Sequence, residues 1–173
     1  DAGPEEPGTF QLPLKTPEER AAFSASLRER SFAFVRFSQE DARHFAELDE
    51  DGRGLFSLPD AQLAQLGEIS HPDQPWFTGF RSLKQRATFR YRRVGTKVDI
   101  PWPSSPALAR LKESCAASFD TLESHALGLA RVAMEEVGLD ADVLLSSHVR
   151  QEPVDETGSA ASLLDLFYYP NRD

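Results

Sequence analysis

The feature that most constrains this chain is one unbroken apolar rhythm. Leu108, Leu111, Cys115, Phe119, Leu122, Ala126, Leu129, Ala133 and Val137 recur at steps of three and four, between Ser105-Pro106 at the start and Gly138 at the end. Such spacing puts every one of these side chains along one stripe of a helix, with proline suited to its first turn and glycine to its close. At 1.5 Å per residue this helix is roughly 48 Å long, more than a small domain needs. Alanines and a cysteine dilute the stripe and it lasts only four to five heptads, so the pattern predicts a helix lying across a larger body rather than a coiled coil.

Shorter elements precede it. Residues 1–9, "DAGPEEPGT", lack a large apolar side chain and predict a loose lead-in. In "TPEERAAFSASLRE" Thr16 is an N-cap, Pro17 occupies the first helical position and Glu19 completes a capping box, with Phe23 and Leu27 on one face. "SFAFVRF", 31–37, reads as a short strand nearly covered on both sides. Ser38 and Asp41 open a second helix running to about Leu48, with Phe45 and Leu48 inward, and "DEDGRG" reads as the turn that ends it. A short helix starts near Pro59 and closes at Gly67. "ISHPDQPWFTGF" reads as a loop because of its prolines and glycine. "ATFRYRRVG" alternates Phe89 and Tyr91 against Arg90 and Arg92, a strand with one wet face. A helical turn is expected around Val143 and Leu145, and after the polar "RQEPVDETGSA" the chain reaches a leucine- and aromatic-rich strand, Ser162 to Tyr169. The class is therefore α+β, mostly helical with a few strands.

Composition narrows the partners. The 173 residues carry 28 acidic against 19 basic side chains, a formal net charge of -9, which disfavours nucleic acid and anionic membranes. No run of about 18 apolar residues is present to span a bilayer. The single cysteine rules out an internal disulfide framework and is compatible with a reducing compartment such as the cytoplasm; the compartment is otherwise open.

Three constellations could carry chemistry. His71 and Asp73 form a His-x-Asp pair and His125 follows at a distance, the residue types of a facial triad for non-haem Fe(II). Their context argues against it: the pair flanks Pro72 in a loop and His125 lies inside the long helix, so a loop histidine and a helix-flank histidine are the expected roles. From Arg81 to Lys97 there are seven basic residues (Arg81, Lys84, Arg86, Arg90, Arg92, Arg93, Lys97) and no acid. This island suits an anion or an acidic partner, but an ordinary strand face balancing acidic segments elsewhere is the preferred reading. Cys115, within the apolar stripe, is expected to be structural because a nucleophile needs access and a base.

Taken in order, the segments resemble the amino-terminal half of the isopenicillin N synthase-like proteins, the Fe(II)- and 2-oxoglutarate-dependent dioxygenase superfamily. "LRERSFAFVRF" is similar to that family's "L-x-x-x-G-F-F-x-V", "LFSLP" to "F-F-x-L-P", and "WFTGFRSL" to its loop ending in Gly-Tyr. "ALGLARVAMEEVGLD" is similar to its helix end "L-x-L-x-x-x-L-G-L", and "SLLDLFYYP" to "S-x-L-R-L-N-Y-Y-P", an early strand of the double-stranded β-helix, or jelly roll. The likeness spans about residues 10–170. It implies a single amino-terminal oxygenase-like domain over 10–173, incomplete because the family's iron ligands and its Arg-x-Ser for 2-oxoglutarate lie beyond the Tyr-Tyr-Pro segment. No catalytic residue and no metal ligand is carried over. The resemblance assigns one cofactor-binding position, Tyr169, whose hydroxyl would help hold 2-oxoglutarate.

For a complete parent protein the resemblance implies Fe(II), 2-oxoglutarate and oxidation of a small-molecule substrate, with this chain alone inactive. It also implies a cover for the last strand, from a carboxy-terminal segment or a protein partner. Ser31, Asp165 and Phe167 stand where the family commonly has glycine, arginine and asparagine. These departures suit a divergent enzyme or, alternatively, a non-catalytic binding or assembly module built on the same fold. An unrelated helical domain would instead leave residues 161–169 outside any extended sheet.

Overall fold

The computed structural model describes residues 8–70, 77–83, 86–91, 100, 102–148 and 164–169. His71, Asp73, Lys84, Arg92, Arg93 and Lys97 lie outside these residues. The chain divides into two compact units, Asp1–Arg43 with Thr121–Arg150, and His44–Asp120 with Gln151–Asp173.

In the first unit, β1 (Thr9–Gln11) pairs in parallel with β2 (Phe34–Arg36), and α1 (Pro17–Arg30) connects them. Thr9, expected in the loose lead-in, is thus paired with Phe34. Helix α1 begins as its sequence dictates: Thr16 Oγ1 accepts the Glu19 N–H at 3.1 Å and Glu19 Oε2 accepts the Thr16 N–H at 2.9 Å. Pro17 has no N–H, so three N–H groups at this helix start lack intrahelical partners, and the exchange satisfies two of them. The helix ends at Ser31, whose φ of 64° is left-handed and whose N–H bonds Leu27 O at 2.9 Å. A glycine would hold that conformation without a Cβ penalty.

Strand β2 departs from expectation. It is shorter than 31–37, and Phe32 and Phe34 remain 54% and 55% exposed with their rings in edge contact at 5.5 Å. The reason is one-sided packing: Ala33, Val35 and Phe37 alone reach the cluster of Leu12, Leu14, Phe23 and Val132.

The second unit holds the antiparallel sheet. Its order is β3 (Ile69–Ser70), β4 (Phe77–Leu83), β5 (Arg86–Tyr91) and β6 (Leu164–Tyr168). Inclusion of β6 sets aside the unrelated helical domain, and β4 corrects the reading of its segment as a loop. Helix α2 (Gln39–Phe56) also runs straight through "DEDGRG" instead of ending there. Leu48, Gly52 and Leu55 are buried at steps of four and three, so this glycine continues the packed stripe rather than breaking it. A Cβ on Gly52 would meet Leu166 Cδ1 at 3.4 Å, so the bare backbone gives β6 room to pack. A short helix, α3 (Asp60–Leu63), passes into a 3-10 turn over Ala64–Leu66 before Gly67.

The long helix, α4 (Pro106–Glu136), is present as the apolar rhythm requires, and α5 (Ala141–His148) follows it. Leu108, Leu111, Cys115 and Phe119 are buried in the core of the second unit with Leu55, Leu66, Phe89 and Tyr91. Beyond Phe119 the expected stripe no longer sets burial. Leu122 and Val137 are exposed, while Leu129 and the off-stripe Val132 pack in the cluster of the first unit. Cys115 is fully buried, and burial, with the Asp51 charge adding to it, pushes its thiol up to about 12. The group is an inert core side chain, as the sequence suggested.

Candidate functional site

Alternation along the strands separates the sheet into two faces. Phe80, Phe89, Tyr91, Leu164 and Leu166 belong to the core side, where Tyr168 also stacks on Phe56 with ring centroids 5.3 Å apart. The opposite face carries Gly79, Arg81 and Leu83 from β4, Arg86, Thr88 and Arg90 from β5, and Asp165 and Phe167 from β6. Tyr169, one residue past the strand, continues this face, its ring 6.4 Å from that of Phe167. The open face is the candidate site.

Its charges are arranged in pairs. Arg90 and Asp165 are cross-strand partners in register, and the guanidinium grips the carboxylate with two bonds, Nε to Oδ1 at 2.6 Å and a terminal nitrogen to Oδ2 at 2.5 Å. Both side chains are mostly covered. Hydrogen bonding to Asp165 holds the Arg90 guanidinium above its ordinary pKa against the opposing effect of burial. The acid at 165 thus has its cation on the neighbouring strand. Arg81 is paired in the same two-pronged way with Glu68, which also raises its pKa. Arg86 instead lies over the Phe167 ring, 5.2 Å from its centroid. Of the seven basic residues of the island, three are described, and two of these, Arg81 and Arg90, are paired with carboxylates.

Two groups on this face stand out. Thr88 is 3% exposed and its Oγ1 has no hydrogen-bond partner among the described residues, a burial that costs free energy until a partner arrives. Phe167 and Tyr169 are 49% and 61% exposed, large aromatic rings with wet faces. Register, which brings Thr88 opposite Phe167 and Arg90 opposite Asp165, is what the sequence could not reveal, since 75 residues separate the latter pair.

The remaining candidates are elsewhere. His125, on α4, meets Asp41 at the start of α2, its Nε2 3.0 Å from Asp41 Oδ2 and its ring edge-on to Phe37. Ser38 Oγ also donates to Asp41 Oδ2 at 2.8 Å and accepts the Asp41 N–H at 3.1 Å. These contacts form a helix-start network. Among the described residues, no three His, Cys, Asp or Glu side chains are grouped to hold a metal ion.

The network carries a pH dependence. The Ser38 hydrogen bond, the largest influence, together with His125 outweighs desolvation and holds the Asp41 carboxyl below its ordinary value of 3.8. A depressed folded-state pKa means that the stabilisation is complete above 3.8 and is lost as pH falls through the folded value. Asp41→Asn is expected to flatten the acid limb of stability against pH below that point. Urea midpoints measured across about pH 2 to 6 check it; an unchanged acid limb would remove Asp41 as its source.

Comparison with solved structures finds, among its matches, crystal structures of a fungal hydroxylase. The full-length Neurospora crassa thymine-7-hydroxylase in complex with alpha-KG and 5-formyluracil matches with a TM-score of 0.66 and 18% identity, over 96% of this chain and 54% of that one. Its carboxy-terminally truncated apo form matches with a TM-score of 0.68 and 18% identity, over 96% of this chain and 64% of that one. The complex with alpha-KG and thymine matches with a TM-score of 0.60 and 15% identity, over 82% of this chain and 53% of that one. The chain thus spans little more than half to under two thirds of the length of these structures. No protein-family model matches the chain, and no curated protein sequence does. The likeness gives the chain a 2-oxoglutarate-oxygenase-like fold of mixed helix and strand.

Proposed function

We propose that this chain forms the amino-terminal portion of a non-haem Fe(II)- and 2-oxoglutarate-dependent oxygenase that oxidises a small organic substrate. The reading rests on the likeness to the Neurospora hydroxylase over 96% of the chain, since that protein was crystallised with alpha-KG and 5-formyluracil. Membership of β6 in the sheet adds support, because the resemblance makes that strand an early part of the jelly roll. Tyr169, with its ring on the open face beside Phe167, would donate its hydroxyl to a carboxylate of 2-oxoglutarate. Iron would supply the oxidising chemistry, but the described residues offer it no ligand set, so no ligand is assigned to it.

The outer edge of β6, which pairs only with β5 among the described residues, would be covered by a carboxy-terminal segment or a protein partner. A second reading, a non-catalytic module, is favoured by one observation: Asp165 is committed to Arg90.

The test is anaerobic binding of Fe(II) and 2-oxoglutarate to the natural full-length protein. The oxygenase reading expects about one iron per chain and a 2-oxoglutarate affinity that falls roughly tenfold in Tyr169→Phe. A protein that takes up neither leaves the module reading.

A further inference from the structure

We infer that the open sheet face is a binding site for a flat aromatic carboxylate, held by Arg86 and Thr88 and packed against Phe167 and Tyr169. Such a ligand is the class of the organic substrate. Its role as substrate rests on the oxygenase reading above, whereas its binding does not.

Charge comes first. Among the described residues the face has three arginines, Arg81, Arg86 and Arg90, and two of them are answered by carboxylates, Glu68 and Asp165. Arg86 is the remaining one: among the described residues it meets the Phe167 ring rather than an acid. A guanidinium over an aromatic ring keeps its in-plane N–H donors available, and those donors match the two oxygens of a carboxylate. Among the described residues of the face, Arg86 is therefore the cation left for an anionic ligand.

Shape comes next. Phe167 and Tyr169 are exposed and tilted by 34° to one another, so their rings offer a shallow apolar platform beside Arg86. An aromatic ring laid on such a platform gains area burial and offset stacking together. An aliphatic acid gains less, and an uncharged ring forgoes Arg86.

The hydroxyl of Thr88 supplies the specific polar contact. It lies next but one to Arg86 on β5 and opposite Phe167 on β6, buried and without a partner among the described residues. A carboxylate held by Arg86, on the same face of β5, would give the hydroxyl an acceptor. Binding then satisfies a donor that has no partner among the described residues.

The experiment is calorimetric titration of the natural full-length protein with benzoate, with benzamide and cyclohexanecarboxylate as neutral and non-aromatic counterparts. Benzoate is expected to bind at least about tenfold more tightly than benzamide. It should bind several-fold more tightly than cyclohexanecarboxylate, and Arg86→Gln is expected to abolish the preference for the charged ligand. No benzoate binding, or equal affinity of wild type and Arg86→Gln, overturns the inference. If Arg86→Gln does not fold, Thr88→Val serves, since it removes a buried hydroxyl that has no partner among the described residues and is expected to hold or raise stability. Weaker benzoate binding in that variant supports the site and unchanged binding overturns it. Titration with 2-oxoglutarate in the same preparation separates the outcomes, because loss of 2-oxoglutarate binding with benzoate binding retained would defeat the oxygenase reading alone.

Discussion

Replacing Gly79 by alanine is expected to cost at least about 3 kcal/mol and to leave the chain partly unfolded at ordinary temperature. Gly79 sits within β4 with φ of 96°, a conformation that an L side chain resists. Space is a second, separate obstacle. A Cβ there would stand 2.6 Å from both Leu66 O and Gly67 O, which are backbone atoms that no rotamer change can move aside. The crossing that creates this closeness also pairs Gly67 with Phe80 in an isolated bridge. Equilibrium urea unfolding of Gly79→Ala measures the effect. A loss below about 1 kcal/mol would mean that β4 does not pass over Leu66 and Gly67 at this distance.

Phe89→Ala is the second large effect, about 3 to 5 kcal/mol. Its ring is 0% exposed, meets Trp102 edge-on at 5.6 Å, and lies between Phe80 and Leu166 across the two neighbouring strands. Nothing small can refill the space, because its neighbours are fixed by strand register on both sides. Phe167→Ala, on the open face of β6, is the internal comparison and is expected to change stability by no more than about 0.5 kcal/mol. Equal losses from the two substitutions would contradict the assignment of the faces.

The parts of the fold legible in the sequence are those encoded locally. The capping box from Thr16 to Glu19 and the apolar repeat from Leu108 to Phe119 are recorded within a few residues, and both elements stand where the pattern puts them. Local pattern misleads where the deciding partner is remote. Gly52 reads as a turn residue until Leu166 is seen packing against it, and "PWFTGF" reads as a loop until β5 pairs with its second half. The site is less legible still. Tyr169 and the basic residues can be singled out, but the pairing that neutralises Arg90 and leaves Arg86 on an aromatic ring depends on antiparallel register between distant segments.

That register gives the Arg90–Asp165 pair a further meaning. In a strand, a slip of one residue exchanges the two faces entirely. Shifted so, β6 would turn Asp165 into the layer formed by Leu55, Phe89 and Tyr91, and would turn Leu164 and Leu166 to water. A carboxylate without its cation is among the least tolerable groups in such a layer. The ion pair therefore works as a stop against misalignment: beyond any pairing energy of its own, it fixes which way Phe167 and Tyr169 point.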